Sequence, residues 1–116
     1  MSGIADVKLL GWVIDKLLTY SDTQKVRVND AIASIQNAWS HTYDYLRNQD
    51  GDYIPNQELS NLWNNAAMKT RLIDQELASQ LQDKSRFWIH PDLPRQNRIL
   101  LLTEIQDELE RLNMKF

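Results

Sequence analysis

The chain has 116 residues, a length that suits one domain and leaves little room for two. It contains no cysteine, which excludes disulfides, thiolate metal sites and thiol nucleophiles together. Its formal net charge of −3 is too mild to recruit nucleic acid or an acidic membrane by electrostatics alone, and 42% hydrophobic residues, four Trp among them, supply a core.

The N-terminal Met1-Ser2-Gly3-Ile4 lacks the basic start and small-residue cleavage site of a signal peptide. The longest apolar run, Ile99 to Leu102, is far short of a membrane span, so a cytoplasmic soluble protein is expected. Strand-like alternation of β-branched residues is missing. The pattern is helical throughout and predicts four segments.

The first segment covers about Ile4 to Tyr20, with Ile4, Val7, Leu10, Ile14 and Leu17 on one face at the 3-and-4 spacing of a helix. Ser21 and Gln24 have the spacing of a capping box, which marks the next start. The second segment runs to about Asn48. Val28, Ile32, Ile35, Trp39, Thr42 and Leu46 form a narrow seam of coiled-coil type along it. Gln49-Asp50-Gly51-Asp52 ends it as a turn.

Pro55 suits the first turn of a third helix, on which Leu59, Leu62, Trp63, Ala66, Ile73, Leu77 and Leu81 keep the periodicity to about Trp88. More than thirty residues is long for one globular helix, and a bend or break is expected near Met68 to Leu72. Pro91 and Pro94 stop it. The fourth helix, about Pro94 to Asn113, carries Ile99, Leu102, Ile105, Leu109 and Leu112. Short connections favour antiparallel neighbours. The expected fold is therefore one all-α domain over residues 1–116, an up-down-up-down four-helix bundle with a long third helix.

The turn from Asn48 to Glu58 resembles a calcium loop at first sight. With Glu58 at position 12, Arg47 falls at position 1 and Asp52 takes the glycine position. Starting at Asn48 instead brings Glu58 one residue early. An acidic turn before a Pro-started helix explains the same residues. Helix 1 is amphipathic and carries Trp12, like peptides that lie on bilayers, yet Asp6 and Asp15 balance Lys8 and Lys16. A bundle helix is the stronger reading, and neither membrane nor nucleic-acid binding is favoured. The many carboxylates, among them Asp74, Glu104, Asp107 and Glu108, lack the Glu-x-x-His spacing of a di-iron site and read mostly as solvated faces. No metal or other cofactor is expected.

The stretch Lys84 to Arg98 is the least ordinary. Lys84, Arg86, Arg95, Arg98 and His90 gather around Phe87 and Trp88 in a chain that is otherwise acidic. Lys84, Arg86, Trp88, His90, Arg95 and Arg98 are the expected partner-binding residues, suited to an acidic partner, a phosphate or a nucleotide base stacked on Trp88. The structural alternative has Phe87 and Trp88 plugging the bundle end while the cations stay solvated.

Arg86-Phe87-Trp88-Ile89-His90 is similar to the Arg/His motif of the HEPN ribonucleases, which are also small helical bundles. The resemblance would make His90 a general acid or base and Arg86 a phosphate clamp. Only three residues separate the pair and Pro91 follows, which departs from the motif's spacing. A broader pattern runs from Ala38-Trp39, Thr42 and Tyr45-Leu46 through Leu59-Ser60-x-Leu62-Trp63-x-x-Ala66-Ala67 to Asp74-x-x-Leu77-Ala78-x-x-Leu81-x-x-Lys84 and Trp88-x-x-Pro91. It resembles small helical modules found near or fused to bacterial signalling and defence proteins. That resemblance implies no catalytic residues. The expected function is a non-enzymatic protein–protein interaction or regulatory module with a protein partner, self-association included, and an RNA-cleaving or nucleotide-responsive domain is the alternative.

Overall fold

The structure is a computed structural model. It describes the backbone of residues 3–48, 57–85 and 95–113, and the side chains of 10–48, 57–82 and 102–112. Every described element is a helix: α1 Gly3–Leu18, α2 Ser21–Asn48, α3 Gln57–Arg71, α4 Gln75–Ser85 and α5 Arg95–Asn113. The described helices number five rather than four because the long third segment divides. No described helix is long and apolar enough to cross a membrane.

The division follows from local hydrogen bonding. After Arg71, the Thr70 carbonyl accepts the amides of both Ile73 (3.0 Å) and Asp74 (2.9 Å), which closes the helix. Asp74 then restarts it: its Oδ1 accepts the Leu77 amide at 3.1 Å, the bond of an N-cap to the third residue of the new helix. Apolar spacing is blind to this break. Ile73 packs on the core, and Leu77 and Leu81, buried within it, keep the spacing across the junction. The break falls at residues 72–74, beginning at the last residue of the expected stretch Met68 to Leu72. Gln82 spans it, accepting from Arg71 at 3.1 Å and donating to Asn64 at 3.5 Å.

The start of α2 also differs from expectation. Ser21 Oγ donates backwards to the Leu18 carbonyl at 2.8 Å, so it closes α1 instead of capping α2. Gln24 is non-helical (φ −136°, ψ 43°), and the helix is kinked there. Thr19 Oγ1 joins in closing α1 through the Lys16 carbonyl at 2.6 Å. With carbonyls of α1 within reach of these hydroxyls across a two-residue turn, the capping-box bond is replaced by a C-terminal one.

The seam on α2 is the spine of the core. All six of its residues are buried, with Ala31, Ser34 and Ala38 beside them. The seam is thus buried within the chain. Antiparallel α3 covers one side: Asp30 meets Lys69 at 3.5 Å, while Thr42, three turns on, meets Trp63. The contact between Thr42 and Trp63 is a buried relay, in which Trp63 Nε1–H donates to Thr42 Oγ1 at 3.0 Å and that hydroxyl donates to the Ala38 carbonyl at 2.8 Å. Helix α1 lays Leu10, Val13, Ile14 and Leu17 into the same core, and α5 adds Ile105 and Leu112.

Helices α1 and α5 approach closely at Gly11, which is buried. A Cβ there would overlap the Glu108 carboxylate and come within 2.8 Å of Arg111 Nη2. Arg111 Nη2 holds Glu108 at 2.7 Å and its Nη1 reaches Asp15 on α1 at 3.6 Å. Glycine in a helix interior costs about 1 kcal/mol relative to alanine, and here the cost admits an ion-pair layer between two helices. Glu108 is therefore part of a packed contact and not a solvated face.

Candidate functional site

The stretch expected to bind a partner lies largely outside the described residues. Arg86, Trp88 and His90 are not described, nor is Phe87. Lys84 falls in the last turn of α4, and Arg95 and Arg98 in the first turn of α5, but their side chains are likewise outside the description. The calcium-like turn at 49–56 is in the same position. The other histidine, His41, sits on the exposed face of α2 with Nδ1 2.9 Å from the Asn37 carbonyl. Among the described residues no group of three or more His, Asp or Glu could hold a metal ion.

The described surface also exposes four large apolar side chains. Val26 is 81% exposed, Leu72 64%, Met68 63% and Trp12 46%. Such residues are ordinary when scattered, and their meaning depends on whether they cluster. Met68 lies in the last turn of α3, and Leu72 is the first residue after it. The pairing of Asp30 with Lys69 sets α2 beside α3. Because the two helices are antiparallel, Val26 and Leu72 each lie about one turn from that pair, toward the same end. Val26 also adjoins the Gln24 kink. Periodicity alone had no means of finding these residues, since their exposure depends on which face of each helix its neighbours cover.

A second feature lies between α1 and α4. Trp12 and Lys16, one turn apart on α1, face Asp74, Glu76, Leu77 and Gln80 across an open cleft of about 230 Å³. Leu77 is buried, while Trp12, Lys16 and Glu76 are exposed. One end is fixed by a bond between distant segments: Tyr20 Oη–H donates to Asp74 Oδ2 at 2.6 Å. Asp74 thereby uses one oxygen to start α4 and the other to hold the α1–α2 turn.

These bonds set the ionisation of both partners. The Tyr20 hydroxyl holds the Asp74 carboxyl below its ordinary 3.8, aided by the Leu77 amide and opposed by partial burial. The same bond, with lesser help from burial and from the charges of Asp74 and Glu76, holds Tyr20 above its ordinary 10.0. A depressed carboxyl stabilises the fold above its unfolded pKa and loses that effect as pH falls through the native value. A raised phenol stabilises below its unfolded pKa and loses the effect as pH rises through the native one. Tyr20→Phe should therefore be less stable than the wild type by a constant margin between about pH 5 and about pH 9, with the margin shrinking at both extremes. Denaturant titrations across that range measure the margin, and a margin that grows on acidification would contradict the assignment. Removing the cap as well, with Asp74→Ala, should cost about 1 kcal/mol at neutral pH.

Comparison with known protein families, with curated proteins and with solved structures finds no match to this chain.

Proposed function

We propose that this chain is a non-enzymatic helical interaction module that presents helix surfaces to a protein partner, as modules of bacterial signalling and defence systems do. The observation that supports it is the exposure of Val26, Met68 and Leu72, each within about one turn of the Asp30–Lys69 pair, while the α2 seam is already buried. Desolvating such side chains is the main driving force of association. In this reading α3 and α4 act as one broken helix, α3 against α2 and α4 against α1, and the molecule works as a four-helix bundle in the cytoplasm. The basic residues Lys84, Arg86, Arg95 and Arg98, with Trp88 and His90, would supply the polar part of the partner surface.

The test compares two double variants with the wild type by affinity capture and by light scattering coupled to size-exclusion chromatography. Met68→Ser/Leu72→Ser and Arg95→Glu/Arg98→Glu should each abolish partner capture or self-association. The melting temperature should hardly move for the first pair, because exposed substitutions change stability by no more than about 0.5 kcal/mol. Capture and mass unchanged in both variants would reject the reading.

A further inference from the structure

We propose that the cleft between α1 and α4 is a receptor for one arginine side chain of a protein partner, with the guanidinium laid against Trp12 and its edge toward Glu76 and Gln80. The inference rests on the interaction-module reading and gives it a partner chemistry.

Size is the first argument. The cleft, at about 230 Å³, is smaller than the roughly 300–1,000 Å³ of small-molecule sites and matches a single long side chain. Composition is the second. The cleft has an exposed indole on one wall and a buried leucine, Leu77, at its base. Glu76 and Gln80, one turn apart on α4, line the opposite wall with two side-chain acceptors on one face. A flat, weakly hydrated cation that stacks on an aromatic face and offers a fork of N–H donors along its edge is a guanidinium. An ammonium satisfies only the charge.

Charge complementarity is the third argument. Two carboxylates line the cleft against one lysine. Asp74 is held ionised by Tyr20 and Leu77, and its charge offsets that of Lys16. Glu76 is exposed and contributes only its backbone amide to the Asp74 cap, so its side chain leaves the site a negative charge. An anion, the usual guest of a helix start, is disfavoured because the Asp74 carboxylate already caps α4.

The test uses defined peptides, so its result does not depend on whether a natural partner is captured. Three acetylated and amidated alanine-based dodecapeptides would carry two Arg, two Lys or two Glu at the same positions. The probe is the indole N–H resonance of Trp12 in the intact chain, identified by its loss in Trp12→Phe. The arginine peptide should shift it saturably, bind about fivefold more tightly than the lysine peptide, and weaken with added salt. The glutamate peptide should not shift it. Glu76→Lys should weaken arginine-peptide binding at least about tenfold in a chain that still folds, its melting temperature lowered only by the loss of a favourable first-turn charge. An unmoved Trp12 resonance, or equal shifts from the arginine and glutamate peptides, would overturn the proposal. So would free arginine amide binding as tightly as the peptide, which would assign the cleft to a metabolite. Peptide binding at Trp12 with no loss of capture in the surface variants leaves this cleft standing and rejects only the Val26–Leu72 surface. The reverse pattern rejects only the cleft.

Discussion

Trp63→Ala should lower the unfolding free energy by about 3–5 kcal/mol, the cost of emptying a large aromatic site that its neighbours fill only in part. Trp63 is buried, and its ring lies between α3 and the α2 spine. A domain of this size is stable by only about 5–15 kcal/mol, so the variant stands near its folding threshold at room temperature. Two effects are combined in that figure and can be separated. Thr42→Val keeps the shape of the side chain and removes the acceptor of the Trp63 indole, and Trp63→Phe removes the donor. A double-mutant cycle of the two should show a coupling of about 0.5–1.5 kcal/mol, the net worth of one hydrogen bond between neutral groups. The rest of the alanine loss is then packing. Zero coupling would show that the Thr42 hydroxyl serves only its own bond to Ala38.

Ile105→Ala should cost about 2–5 kcal/mol, and the loss should appear first as faster amide exchange along α5. Among the described residues, α5 contributes two fully buried apolar side chains, Ile105 and Leu112, with Leu102 and Leu109 packed at the margin. It follows both α1 and α2, so one truncation loosens two contacts. The Glu108–Arg111–Asp15 layer over Gly11 is partly exposed and contributes orientation more than energy. Ile105→Asp places a carboxylate in the core and should prevent α5 from docking altogether. Exchange in α1 should rise together with that in α5, because removing α5 uncovers Gly11 and Asp15. If α5 exchange rises alone, the two helices are not a cooperative unit.

Both effects concern residues that periodicity picks out from sequence. Trp63 and Ile105 each fall on an apolar face that repeats every three or four residues, and a residue on such a face is buried whatever the topology. Trp12 shows the limit of that logic. It belongs to α1 and is as apolar as Trp39, yet it is half-exposed because α4 covers only part of that flank. The cleft is legible only when α1 and α4 are side by side. Its members come from positions 12–16 and 74–80, and no spacing rule connects segments so far apart.

Asp74 is an intermediate case. An Asp followed by Gln75 and Glu76 is a recognisable helix start, with a capping side chain and an acidic first turn, so the break at 72–74 had a local signal. Its second role did not, since the partner of its other oxygen is Tyr20, 54 residues away in sequence. Ser21 makes the opposite point. Its capping-box spacing is present, but the α1 carbonyls compete for the hydroxyl, and they win because the turn is only two residues long. Glu108 looked like a surface carboxylate because nothing local marks a glycine on another helix as its contact.

By itself the sequence determined the helical class, the approximate limits of the segments and the buried faces of the described helices. Those properties depend on hydrogen bonds and side-chain spacing within a few turns. Only the tertiary structure decided which carboxylates are engaged, how α1 and α5 close over Gly11, and where apolar side chains are left uncovered. A surface is what remains when packing is complete, so its chemistry is a property of helix pairs, and pairing is set by the whole core.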